Sequence, residues 1–124
     1  MTPLHVESGS GYVAVELTGD LDIATIAPIR EQLLTIAGTI RGALILDLAR
    51  VTFIDSGGLG MFVLLHKRVS EGGGVFALVN VDRTVGRPLG LTSLDTVFPV
   101  HYRRRGDDAA SPVEDVVPSL LAKD

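Results

Sequence analysis

Asp55 and Ser56 are the residues in this chain best placed to do chemistry. They stand directly before Gly57-Gly58-Leu59-Gly60, between an apolar stretch at 43–48 and an amphipathic one at 57–70. A serine where a strand hands over to a helix can be a nucleophile, a helix cap or a phosphate acceptor. A nucleophile needs a general base, usually histidine. The histidines are His5, His66 and His101. His66 lies on the same predicted helix, about 15 Å along the axis at the usual rise, too far to reach Ser56. Ile54 and Asp55 precede the serine, so the G-x-S-x-G elbow is absent as well. A helix start leaves backbone N–H groups unpaired and carries partial positive charge. The Ser56 hydroxyl is a good N-cap there. A phosphate added to it meets free N–H groups and a favourable dipole, so the fold survives the modification.

Other side chains offer rival chemistry. Asp20, Asp22, Asp47 and Asp55 could gather as a carboxylate cluster for a divalent metal, or simply end strands and cap loops. The run Gly57 to Gly60 looks like a fragment of a phosphate-cradling loop, but it lacks the Lys-Ser/Thr of a P-loop and the G-x-G-x-x-G spacing. Glycine there also lets a helix start pack closely on a sheet. Arg103-Arg104-Arg105 reads as a solvated joint, partly cancelled by Asp107 and Asp108. Leu59 and Met61, near the start of the helix, are candidate partner contacts, with the core as the alternative for each.

The elements that must position these residues follow from periodicity. Leu4 and Val6 alternate with His5 and Glu7. After a turn, Val13, Val15 and Leu17 alternate with Ala14, Glu16 and Thr18, which predicts an edge hairpin with one buried face. Ile26, Ile29, Leu33, Ile36 or Ala37, and Ile40 form a helical stripe, with Thr25 as its cap and Pro28 as its third residue. Residues 43–48 and 75–79 are apolar almost throughout, as in strands covered on both faces. The helix between them turns Leu59, Phe62, Val63 and Val69 inward. Residues 84–91 should be helical by position, but Gly86, Pro88 and Gly90 predict a short or kinked turn. A last strand is expected at 96–100. Ser111-Pro112-Val113-Glu114 has a capping-box pattern, before a short helix with Val113, Val116, Val117, Leu120 and Leu121 that Pro118 interrupts.

The 124 residues, 46% hydrophobic and 21% charged, suit one globular domain. The net charge of -4 speaks against nucleic acid as a direct partner. The absence of cysteine rules out disulfides and thiolate metal sites. No apolar run approaches the ~20 residues of a membrane span, and no secretory signal is visible, so a cytoplasmic location is expected.

The stretch Leu46-Asp-Leu-Ala-Arg-Val-Thr-Phe-Ile-Asp-Ser-Gly-Gly-Leu-Gly60 is similar to the signature of the STAS domain, the sulfate transporter and anti-sigma factor antagonist domain. Leu17-Thr-Gly-Asp-Leu-Asp22 resembles that family's strand-two exit, and the two motifs match in order and spacing. The resemblance implies an α/β fold, with a mixed sheet of about five strands packed with about four helices. Residues 1–102 would be the domain and 103–124 a C-terminal extension with a short helix. It implies an anti-sigma factor antagonist with no cofactor and no enzymatic activity. The unphosphorylated form would bind an anti-sigma factor with serine kinase activity and so release a sigma factor. Phosphorylation of Ser56 would switch binding off, and a phosphatase would restore it. Asp22, Asp55, Gly57, Gly58, Leu59 and Met61 would form the partner surface, and Met61→Asp should then weaken binding without lowering the melting temperature. Two other roles fit such a domain: a scaffold subunit of a stress-sensing assembly, and a nucleotide- or small-molecule-binding module. The chain departs from the family at Gly57, where Ser or Thr is common. That leaves one hydroxyl acceptor and implies a more flexible loop. Gly86, Pro88 and Gly90 depart in the third helix.

Overall fold

A computed structural model describes residues 4–103 and 113–121. The chain runs β1 (Leu4–Gly9), β2 (Tyr12–Leu21), α1 (Ile23–Ile26), α2 (Arg30–Thr39), β3 (Ala43–Ile54), α3 (Ser56–Glu71), β4 (Val75–Val81), α4 (Arg83–Leu91), β5 (Val100–Tyr102) and α5 (Val117–Leu121). Short 3-10 turns at Leu94–Thr96 and Val113–Asp115 precede β5 and α5.

The sheet order is β1-β2-β3-β4-β5. Only β1 is antiparallel, in the expected hairpin with β2, and the other pairs are parallel. Because the order never reverses, right-handed crossovers send every connecting helix to the same face. The main core lies there. Val15, Leu17, Leu44, Leu46, Leu48, Phe76 and Leu78 meet Leu33, Phe62, Leu65, Val69, Val85 and Leu89.

The opposite face has its own small core. Ala14, Ala43, Ile45, Ala77 and Val79 pack against Val117 and Leu120 of α5. This second cover explains why β3 and β4 are apolar at successive positions rather than at alternate ones. It also buries Ala14, which the alternation in β2 had assigned to the wet face. Ser111 and Pro112 of the capping-box pattern lie outside the described residues, as do Arg104, Arg105, Asp107 and Asp108.

Leu46 is wholly buried in the middle of β3. Leu46→Ala is expected to cost roughly 2–5 kcal/mol through lost burial and the cavity left behind. Urea unfolding reads this directly, and a loss below about 1 kcal/mol would contradict the placement of Leu46.

Several elements differ from the sequence expectation. The single helix expected at 26–40 is two, α1 and α2. Asp22 is the N-cap of α1, and Thr25 is its capping-box partner rather than the cap. Pro28 falls in the turn between α1 and α2, since it has no N–H to continue the ladder. The strand expected at 43–48 continues to Ile54, with register shifts against β2 at Glu16/Thr18 and Gly19/Asp20. Gly19, at φ +95°, permits the second of these. In α3 the buried positions are Gly58, Met61, Phe62, Leu65 and Val69, while Val63 is half-exposed. The last strand starts only at Val100, because Ser93, at φ 61°, opens the turn over Leu94–Thr96 instead.

The segment expected to be a poor turn is the nine-residue helix α4. Asp82 caps it by accepting from the Thr84 N–H at 2.9 Å. Val85 and Leu89, four apart on one face, are fully buried. That anchoring outweighs the intrinsic cost of Gly86, Pro88 and Gly90.

Candidate functional site

The site is built where β2 and β3 end side by side. Leu21 pairs with Ile54 in the parallel register, and the Asp55 N–H donates to the Leu21 carbonyl at 3.1 Å. The next residue of each strand exit is an aspartate that starts a helix. Asp22 accepts from the Thr25 N–H at 2.8 Å, while the Thr25 hydroxyl accepts from the Asp22 N–H at 2.9 Å. Asp55 accepts from the Gly57 N–H at 2.8 Å and the Gly58 N–H at 3.2 Å. The two helix starts therefore lie next to each other at the carboxyl end of the sheet.

Ser56 is the first residue of α3 and is exposed. Asp55, not Ser56, is the N-cap. This alters the expected electrostatics, because the Gly57 and Gly58 N–H groups are already bonded to the Asp55 carboxylate. A phosphate on Ser56 would be tolerated through its exposure and the helix dipole, not by capturing those two N–H groups.

The glycines are structural. A Cβ on Gly57 would stand 2.6 Å from Ile23 Cγ1 and 3.1 Å from the Ile23 backbone nitrogen. A Cβ on Gly58 would meet Ile54 Cγ1 at 2.6 Å and the Leu21 carbonyl oxygen at 2.8 Å. Both residues let the first turn of α3 lie directly against α1 and the strand ends. Gly57 belongs to a packed helical turn and not to a flexible loop, contrary to the reading from its departure at that position.

Of the residues expected on a partner surface, Asp22, Asp55, Gly57 and Leu59 are half-buried, and Gly58 and Met61 are buried. Met61 is only 4% exposed, so its expected place on an open edge is corrected. It forms the inner wall of a groove of about 180 Å³ between α1 and α3, with Ile23, Ile26, Ala27, Arg30 and Gly57. Ile23 is the exposed apolar residue that the sequence reading missed, at 69% exposure beside Gly57. The signal was available: an isoleucine directly after the capping aspartate sits at the first helical position, before the buried stripe begins at Ile26. Phe53, paired with Asp20 across the β2–β3 ladder, is likewise exposed.

The rival chemistries find little support in the geometry. Asp20 accepts from the Thr52 hydroxyl at 2.8 Å. Asp47 accepts from the Ala49 N–H and the Asn80 side-chain amide, at 3.1 and 3.0 Å. With Asp22 and Asp55 capping helices, the four carboxylates each have a structural task. Among the described residues no group of three or more His, Cys, Asp or Glu side chains could hold a metal. The His66 and Phe98 rings meet at a tilt of 47° with centroids 5.6 Å apart, His5 lies beside Glu7 on β1, and His101 is in β5. Among the described residues no helix is long and apolar enough to cross a membrane.

The family model of the STAS domain matches residues 4–106, and the chain belongs to that family. It is similar to the anti-sigma-B factor antagonist of Bacillus subtilis, with 29% identity over 104 residues, 83% of this chain and 94% of that one. The anti-sigma F factor antagonist of Paenibacillus polymyxa is 29% identical over 99 residues, 79% of this chain and 85% of that protein. Among solved structures, an anti-sigma factor antagonist from Mycobacterium paratuberculosis superposes with a TM-score of 0.79 at 24% identity, covering 97% of this chain and 94% of that one. The antagonist SpoIIAA in its unphosphorylated form gives a TM-score of 0.75 at 20% identity, covering 94% and 95%. These structural likenesses establish the fold.

Proposed function

We propose that this chain is an anti-sigma factor antagonist controlled at Ser56. The unphosphorylated form binds an anti-sigma factor with serine kinase activity, in the bacterial cytoplasm, and the bound anti-sigma factor lets go of its sigma factor. The kinase phosphorylates Ser56, binding ends, and a phosphatase resets the switch. The chain acts by binding and as a kinase substrate, not as an enzyme. The observation that carries this reading is the placement of one exposed hydroxyl, Ser56, at the start of α3 and beside an apolar groove. The names of its relatives support the same reading.

The partner contact is proposed to centre on Ile23 and the groove behind it, with Asp22, Asp55, Gly57 and Leu59 around the serine. Gly58 and Met61 contribute by shaping that surface from beneath. Serine is the only hydroxyl in the first turn of α3, so a single phosphate is expected. The test is incubation of the chain with ATP and the anti-sigma factor recovered on it from extract of its own cell. Intact mass should show one added phosphate, mapped to Ser56 by fragmentation, and Ser56→Ala should take up none. Phosphate on another residue, or none with an active kinase, would overturn the assignment.

A further inference from the structure

A second concave site lies one strand further along the same end of the sheet, where β4 gives way to α4. It is a cleft of about 350 Å³ lined by Val81, Asp82, Arg83, Gly86, Arg87, Tyr102 and Arg103. We propose that this cleft binds a small aromatic phosphate, a phosphomonoester carried on a flat ring.

The arginines converge for identifiable reasons. Arg83 and Arg87 are four residues apart on α4 and so share a face. The Arg103 N–H donates to the Val81 carbonyl at 2.8 Å, which fixes the end of β5 against the end of β4. Among the described residues of the lining Asp82 is the one carboxylate, and its side chain is committed to the Thr84 N–H as the α4 cap. Among the described residues neither Arg83 nor Arg87 has an ion-pair partner. A solvated charged face would scatter such groups. Here three guanidinium-bearing residues line one cleft in a chain whose net charge is -4. Guanidinium groups match the paired oxygens of a phosphate, and a dianion suits more than one of them.

The ring of Tyr102 supplies the apolar part. It is 53% exposed and lies against α4 at Gly86, where a Cβ would stand 3.0 Å from Tyr102 Cε1. Gly86, a poor helix residue, thereby leaves room for the ring against α4, in the cleft that Arg83 and Arg87 also line. An exposed aromatic face beside phosphate-binding groups fits a ligand that is itself flat. The volume is at the lower end of small-molecule sites, which favours a ligand of about one ring system and one phosphate.

The experiment titrates the full chain, followed by amide and arginine side-chain NMR signals, with inorganic phosphate, phenyl phosphate and 1-naphthyl phosphate. Both aromatic phosphates should shift Gly86, Tyr102 and Arg103 and bind roughly tenfold more tightly than inorganic phosphate, the scale of one ring stack. The exposed pair Arg83→Gln and Arg87→Gln should weaken them about tenfold or more with the fold intact. Tyr102→Leu, which keeps bulk on the strand, should bring them back to the affinity of inorganic phosphate. Unmoved signals at these residues would overturn the proposal. So would unchanged binding after loss of both arginines, or aromatic phosphates no tighter than inorganic phosphate.

Discussion

Met61→Asp is expected to lower the stability of this domain by at least about 3 kcal/mol, because it removes a buried thioether side chain and puts a carboxylate in its place. Among the described residues lining the groove with Met61, Arg30 alone carries an opposite charge, and it stands in solvent on α2. The rest of the groove wall is formed by Ile23, Ile26, Ala27 and Gly57. The melting temperature should fall by about 10 °C or more. The informative control is Ile23→Asp. Ile23 is 69% exposed, so the same new charge there stays in water and the melting temperature should hold. Under the proposed interface, Ile23→Asp should weaken anti-sigma factor binding by roughly tenfold or more, as loss of an apolar anchor does. Calorimetric melting and binding of the two variants separate core from contact. A Met61→Asp chain that melts like the wild type would show that the residue is not in the core. Full binding by Ile23→Asp would move the partner surface away from α1.

Why Met61 looked exposed in the sequence is instructive. The stripe read from α3 was Leu59, Phe62, Val63 and Val69, whereas the buried stripe is Gly58, Met61, Phe62, Leu65 and Val69. A glycine carries no hydrophobic signal, yet Gly58 is the position that touches Ile54 and the Leu21 carbonyl. Without Gly58 as the anchor, the stripe is read one position off and Met61 is left outside it. The cover over Met61 is α1, which arrives from some forty residues earlier in the chain and leaves no local trace. By contrast, strands β2 to β4 were legible because apolar pattern and burial largely agree on them, whereas β1 pairs as expected but leaves Val6 exposed. The successive apolar positions of β3 and β4 even implied the second cover that α5 provides. The aspartates show both outcomes. Asp22 and Asp55 stood out as strand exits, but the serine was taken for the cap although the aspartate before it does that work. Asp82 caps α4 in the same way and was not singled out, because the glycines and proline after it argued against any helix. Three parallel strands thus end in three capping aspartates, a regularity that follows from strands delivering their chain to helix starts.

Ser56→Asp is expected to abolish partner binding while leaving the domain folded. At the first position of α3 a carboxylate meets the positive end of a sixteen-residue helix, which favours it by up to about 1 kcal/mol. Against this stands its proximity to Asp55, whose charge is already held by two N–H groups. The two effects are of similar size and opposite sign, so stability should shift by less than about 1 kcal/mol. At the proposed interface there is no such balance. A partner seated on the Ile23 groove would have to desolvate the new charge beside Asp22 and Asp55, two carboxylates already at that edge. Such juxtapositions cost several kcal/mol, so about 3 kcal/mol, or roughly 100-fold in affinity, is a reasonable scale. A real phosphate, at about −1.5 to −2 charges, should do more. The switch then needs no change of shape: the same rigid helix start is offered with or without charge. Calorimetric titration of wild type, Ser56→Ala and Ser56→Asp into the anti-sigma factor, with circular dichroism for the fold, reads the difference. Ser56→Ala should bind like wild type. If Ser56→Asp does so as well while folded, charge at this serine does not govern the contact.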